Sequence, residues 1–222
     1  MNTTQLKNIK NRAASIGEEI VNSITHGVGA GLSIAGLTLL VVLAVLSGNV
    51  RQVVSFSVYG ASLISLYLAS TLYHSFQHPE IKKTFKIIDH SAIYVLIAGT
   101  YTPFLLLGVP GVWGGIMLVF IWGVAILGIG FRKTFIYRFP QFASLTYILM
   151  GWVSIFMIKP LRANIAVGGL MWLLAGGAAY TIGVIFYAMK KIPYMHGIWH
   201  LFVLGGSICH YFAVLLYLVP IQ

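Results

Sequence analysis

The stretch 90–131 reads HSAIYVLIAGTYTPFLLLGVPGVWGGIMLVFIWGVAILGIGF, 42 residues without an Asp, Glu, Lys or Arg. As a single helix it would run about 63 Å at about 1.5 Å per residue, roughly twice the hydrocarbon thickness of a bilayer. Gly108-Val109-Pro110-Gly111 stands near its middle, and proline with glycine ends helices and makes turns. The stretch is therefore two spans, near 87–107 and 112–131. Five other charge-free runs, 20–50, 52–79, 139–158, 163–189 and 192–222, each hold one more. These place spans near 21–46, 53–76, 139–158, 164–188 and 195–219. The expected fold is an all-α integral membrane protein with seven transmembrane helices.

Composition agrees. Of the 222 residues, 59% are apolar and only 8% charged, against roughly a quarter charged in a soluble domain. The mean hydropathy is +0.90 over the whole chain. A disordered, collagenous or disulfide-rich secreted chain is excluded. The net charge of +10 is carried by too few and too scattered residues for a phosphate-binding face. No nucleic-acid partner is expected, and membrane lipids are the expected surroundings. Cys209 is the sole cysteine, so neither an intramolecular disulfide nor a cysteine metal cluster is available to the chain.

Lys and Arg accumulate on the cytoplasmic side of membrane proteins. With the N-terminus inside, the inner segments hold Lys7, Lys10, Arg12, Lys82, Lys83, Lys86, Arg132, Lys133, Arg138, Lys190 and Lys191. The outer segments hold Arg51, Lys159 and Arg162. Eleven against three sets the expected topology as N-inside and C-outside. Residues 1–17 read as a polar, basic cytoplasmic tail with nothing that looks cleavable, and 18–222 as one transmembrane domain.

Ionisable residues within membrane spans are costly and mark functional sites. Here they are Glu18, Glu19 and His26 on the first span, His74 at the end of the second, Asp89 at the start of the third, and His196, His200 and His210 on the seventh. Under the expected topology all but His210 fall in the inner leaflet. Four helices thus bring polar groups to one end of the bundle. His196 and His200 are an i, i+4 pair on one helix face, a spacing that suits two ligands of one metal or two packed interfacial histidines. The glutamate of an H-E-x-x-H zincin pattern is absent. Ser70 shares the face of His74, again at i, i+4, either as a packing serine or as part of the site. Asp89 is the only aspartate; it is either a carboxylate at a helix N-terminus, favoured by the macrodipole, or a partner for a cation. Taken together, His74, His196 and His200 match a three-histidine zinc centre with one position open to water, the arrangement of catalytic zinc. Asp89 would compensate charge and orient that water. Glu19, Asn22 and His26 share a face of the first helix at i, i+3 and i+7 and either support the ligands from behind or merely start the helix. His210 lies about 15 Å along the helix from His200 and cannot share its metal. His78 and His90 read as loop or interface residues, and the glycines of Gly27–Gly31 and Gly205-Gly206 as close-packing positions. The seventh span carries no lysine, which excludes a retinal Schiff base there.

Ser70-x-x-x-His74, Asp89 and His196-x-x-x-His200 over seven helices resemble the progestin and adipoQ receptor (PAQR) family. Glu18-Glu19-Ile-Val-Asn22-Ser-Ile-Thr25-His26-Gly27, Asp89-His90-Ser91-Ala-Ile-Tyr94, Gly99-Thr100-Tyr101-Thr102-Pro103 and Trp199-His200-Leu-Phe-Val-Leu-Gly205-Gly206 are similar to its bacterial hemolysin III branch. The similarity covers roughly 15–220. It implies a zinc ion on His74, His196 and His200, with Asp89 holding a zinc-bound water and Ser70 close by. It also implies a multi-pass protein of a bacterial plasma membrane, a wider kinship with alkaline ceramidases, a link to membrane-lipid homeostasis, and the cytolysis the name hemolysin denotes. The expected function is a zinc-dependent hydrolase of lipid amide or ester bonds. The alternatives are a pore-forming cytolysin and a non-enzymatic lipid or membrane-state sensor with structural zinc; a homo-oligomer is compatible with each.

Overall fold

Seven helices are long and apolar enough to cross a membrane, and no strand occurs among the described residues. The computed structural model describes residues 3–131 and 140–219, with side chains described over 15–131 and 144–219. The helices are α1 (Thr3–Leu46), α2 (Val50–Ser75), α3 (Pro79–Leu107), α4 (Val112–Phe131), α5 (Pro140–Trp152), α6 (Ile158–Asn164), α7 (Val167–Ala188) and α8 (Met195–Tyr217). The fifth span, Ser144–Asn164, is α5 and α6 joined by a 3₁₀ turn at Val153–Met157. Of the charges used for topology, the side chains of Lys7, Lys10 and Arg12 and the whole of Arg132, Lys133 and Arg138 lie outside the described residues, as does Gln222.

The turns follow from the residues in them. Asn49 caps α2 by accepting from Gln52 N–H at 3.2 Å, and Pro79 opens α3 at the position where a missing N–H costs nothing. After α3, Gly111 takes φ +77°, a backbone state that glycine adopts without steric cost. Consecutive helices α1, α2 and α3 are neighbours, α8 packs against α1 and α7, α4 lies against α3, and the fifth span stands between α3 and α7. The core of Phe56, Tyr59, Leu63, Tyr67, Tyr94 and Val214 runs between α2, α3 and α8. At Gly29 of α1, a Cβ would stand 2.5 Å from the Tyr67 ring, so the glycine admits the ring between α1 and α2. Outward faces carry apolar residues such as Val119, Ile126 and Ile185, as helices facing lipid do.

Two boundaries differ from the sequence reading, and the N-terminal tail is helical in its backbone. The backbone of residues 3–17, read as a tail, continues α1. Helix α3 begins at Pro79 rather than near 87, because the lysines that end a charge-free run do not end a helix; they only take it out of the hydrocarbon. Asp89 therefore lies ten residues into α3, about 15 Å from its start, beyond reach of the macrodipole, which acts within the first turn. The fifth span likewise passes Lys159 and runs to Asn164. Its 3₁₀ turn has a definite cause. The Tyr101 hydroxyl donates to Gly151 O (2.6 Å) and accepts from Ser154 N–H (2.7 Å). A side chain inserted in this way breaks the i→i−4 ladder.

Candidate metal centre

Helices α1, α2, α3 and α8 each contribute to one cluster. His74, at the end of α2, meets His196 and His200 on the first turns of α8, with ring centroids 5.2 and 5.1 Å away. The rings of His196 and His200 are 4.7 Å apart. One nitrogen from each of the three lies within 4.8 Å of the others, against about 3.4 Å for tetrahedral ligands on zinc with bonds of about 2.1 Å. They form the only group of three or more His, Cys, Asp or Glu so placed among the described residues. Three neighbouring histidines can hold a metal.

Two of the three imidazoles are oriented from behind. His74 Nδ1–H donates to Glu19 Oε2 at 2.7 Å, and Lys82 Nζ sits 2.8 Å from the other Glu19 oxygen. His200 Nδ1–H donates to the Asn22 carbonyl at 3.2 Å and lies equally close to Thr25 Oγ1. An ionised carboxylate and a carbonyl only accept. Each ring therefore carries its proton on Nδ1 and keeps a lone pair on Nε2, and His74 Nε2 has no hydrogen-bond partner. Two lone pairs brought together in a buried cluster repel unless a cation lies between them. This donor set fits a metal: ligating histidines commonly give their second N–H to a carboxylate or backbone carbonyl.

The other expected residues surround this cluster. His26 stacks on His200 with centroids 3.5 Å apart, and neither of its ring nitrogens is paired. Ser70 is buried and its hydroxyl has no partner among the described residues. Ser65, Thr71 and Ser75 of the same helix each donate to a carbonyl one turn back, so the free hydroxyl sets Ser70 apart. Asp89 lies with one oxygen 3.2 Å from Nδ1 of His90. Asn22 contributes its backbone carbonyl, whereas its side-chain oxygen is unpaired. Glu18 has no place in the cluster.

A cavity of about 480 Å³ reaches His26, Ser70, Asp89, His196 and His200. It continues between α3, the fifth span, α7 and α8 along apolar walls that include Phe104, Leu161 and Leu174, and it also touches Arg162 and His210.

Residues 14–211 match the family described as Haemolysin-III related. The chain belongs to the haemolysin-III-related family. It is 53% identical over 203 residues to Hemolysin-3 of Bacillus cereus, covering 91% of this chain and 93% of that protein. To the Hemolysin-3 homolog of Bacillus subtilis (strain 168) it is 49% identical over 207 residues, covering 93% and 97%. The monocyte to macrophage differentiation factor of Homo sapiens, a PAQR-family protein, is 29% identical over 207 residues, covering 90% and 84%. The motif resemblance to the hemolysin III branch is thereby established, and with it a multi-pass membrane protein.

Within this haemolysin-III-related chain, sequence reasoning missed three contributors, Lys82, Thr25 and His90, and named Asn22 without foreseeing that its backbone carbonyl is the group in contact. Lys82 and Thr25 hold Glu19 and His200 through contacts across 63 and 175 positions. The Asn22 carbonyl belongs to no side-chain pattern. His90, read as a loop or interface residue, sits on α3 and lines the cavity. The scarcity of carboxylates, four in the whole chain, was the one signal that Glu19 needs a cationic partner.

Proposed function

We propose that this chain is a membrane-embedded, zinc-dependent hydrolase of a lipid amide or ester bond, acting in a bacterial plasma membrane with its N-terminus cytoplasmic and its C-terminus outside. The observation that carries the reading is the cavity that joins His196, His200, Asp89 and Ser70 to a long apolar passage, with His74 beside the two histidines. An apolar cleft with a few convergent polar groups is the form ligand sites take, and here the polar groups are those of hydrolysis. His74, His196 and His200 would hold the zinc, and Glu19 and the Asn22 carbonyl fix the two rings they touch. Zinc bound there supplies Lewis acidity, which brings the pKa of water toward 7 and polarises a carbonyl. Asp89 takes the proton from the attacking water and returns it to the leaving group. Ser70 Oγ–H, which has no partner among the described residues, is free to donate to the substrate's carbonyl oxygen. The apolar walls take the lipid chain.

The name Hemolysin-3 of the Bacillus cereus relative favours a second reading, a pore-forming cytolysin. A pore needs a polar stripe along whole helices, and the lining of this cavity is mostly apolar, with polar groups at separate points. One experiment separates the two. Wild type and Asp89→Asn are reconstituted in liposomes, and lipid hydrolysis is followed by mass spectrometry beside dye release. The hydrolase reading expects turnover to fall about 10²–10⁴-fold, the usual contribution of a general base, with zinc largely retained. Dye release without hydrolysis, unchanged in the variant, would overturn it in favour of the pore. Absence of both leaves the sensor with structural zinc. A reporter fused after Gln222 tests the topology, which requires that it lie outside.

A further inference from the structure

The same cavity touches a second polar group far from the histidine cluster. His210 lines it from α8, and its Nε2–H donates to the Leu173 carbonyl of α7 at 3.2 Å. A neutral imidazole with its proton on Nε2 has a lone pair on Nδ1. That Nδ1 is buried and has no partner among the described residues. Gly176 leaves the room for the ring, since a Cβ there would run into His210 Cδ2 and Nε2. Tyr180, whose ring lies 5.5 Å from that of His210, also lines the cavity. Its hydroxyl is paired with Ser207, which in turn accepts from Tyr67. The imidazole is thus held in one tautomer with its acceptor unused, in the middle of an apolar bundle where unpaired polar atoms are rare.

We propose that His210 Nδ1 is a recognition point for a hydroxyl group part-way along the lipid chain. This assignment rests on the reading that the cavity takes a lipid with its carbonyl end at the histidines, but not on hydrolysis. The chemistry fixes the kind of group: the site offers an acceptor, so the ligand must present an O–H, and a keto group does not serve. The position is fixed by α8, whose ten residues from His200 to His210 span about 15 Å. An extended hydrocarbon chain with C–C bonds of about 1.5 Å advances about 1.25 Å per carbon. A headgroup carbonyl at the histidines therefore puts the hydroxyl near carbon 12.

The test is equilibrium binding to the full chain in nanodiscs, by competition against a fluorescent fatty acid. The probes are octadecanoate, its 12-hydroxy and 12-oxo derivatives, and 2-hydroxyoctadecanoate. Wild type is expected to bind the 12-hydroxy chain about five- to tenfold tighter than the other three, the discrimination one neutral hydrogen bond gives. In His210→Phe and His210→Leu that preference is expected to vanish while octadecanoate binds as before. If wild type shows no preference for the 12-hydroxy chain, the proposal fails whether or not either variant folds. If the preference survives both substitutions, it fails as well. Lipid hydrolysis measured on the same preparations bears only on the hydrolase: a 12-hydroxy preference without turnover would keep His210 in this role and remove the reaction.

Discussion

The two sides of this bundle are built differently. In α2 and α3, 56% of the most apolar window is buried inside the protein; in the fifth span and α7 the share is 17%. The first pair pack against each other and α2 packs against α1, and α2 and α8 carry every member of the histidine cluster. The second pair forms the far wall of the cavity and turns most of its surface outward. The difference separates two tasks. Ligands of one ion must be held within tenths of an ångström, which calls for densely packed elements. Under the proposed function a lipid passes the other wall, and a thin wall suits that task.

Changes on the packed side are expected to reach the metal, and changes on the thin side to spare it. The largest effect falls on the ligands. His74→Ala, His196→Ala and His200→Ala should each lower zinc from about one per chain to a trace, read by elemental analysis of the purified protein, while His210→Ala keeps it. Full zinc in all three variants would discard this ligand set. A smaller effect is expected one contact further out. Glu19→Gln keeps an acceptor for His74 but loses the charge shared with Lys82, and should weaken zinc binding about 10–100-fold in chelator competition; unchanged affinity would leave Glu19 a packing role alone.

The smallest effect compares two glycines. Gly29→Ala drives a methyl into Tyr67, whereas a Cβ at Gly177 on the cavity wall meets nothing within 4 Å. The first is expected to cost about 1–3 kcal/mol of stability, as overpacking does. The second should stay within about 0.5 kcal/mol. Thermal unfolding in detergent measures both, and equal melting temperatures would erase the distinction between the two sides.

Both sides were only partly legible in the sequence. The charge-free runs and Gly108-Val109-Pro110-Gly111 located all seven spans, and α4 has the expected bounds, 112–131. The histidines were legible because charge and polarity are so rare in this chain that each instance stands out. What escaped depended on partners remote in sequence. Nothing near Val153 announces a 3₁₀ turn, because its cause is a tyrosine about 50 residues earlier. Lys82 looked like a loop charge because hydropathy marks where the hydrocarbon ends, not where the helix does.

The Tyr101 hydroxyl has a mechanical consequence. By standing in for a carbonyl at Ser154 and for an N–H at Gly151, it divides the fifth span into two short rods with a joint between them. Bending there does not break a continuous ladder, because the ladder is already interrupted and the hydroxyl can pivot with both halves. On the proposed function, a lipid pressing between this span and α7 would have only to swing one rod aside. The histidine cluster, fastened to the opposite helices, need not move with it.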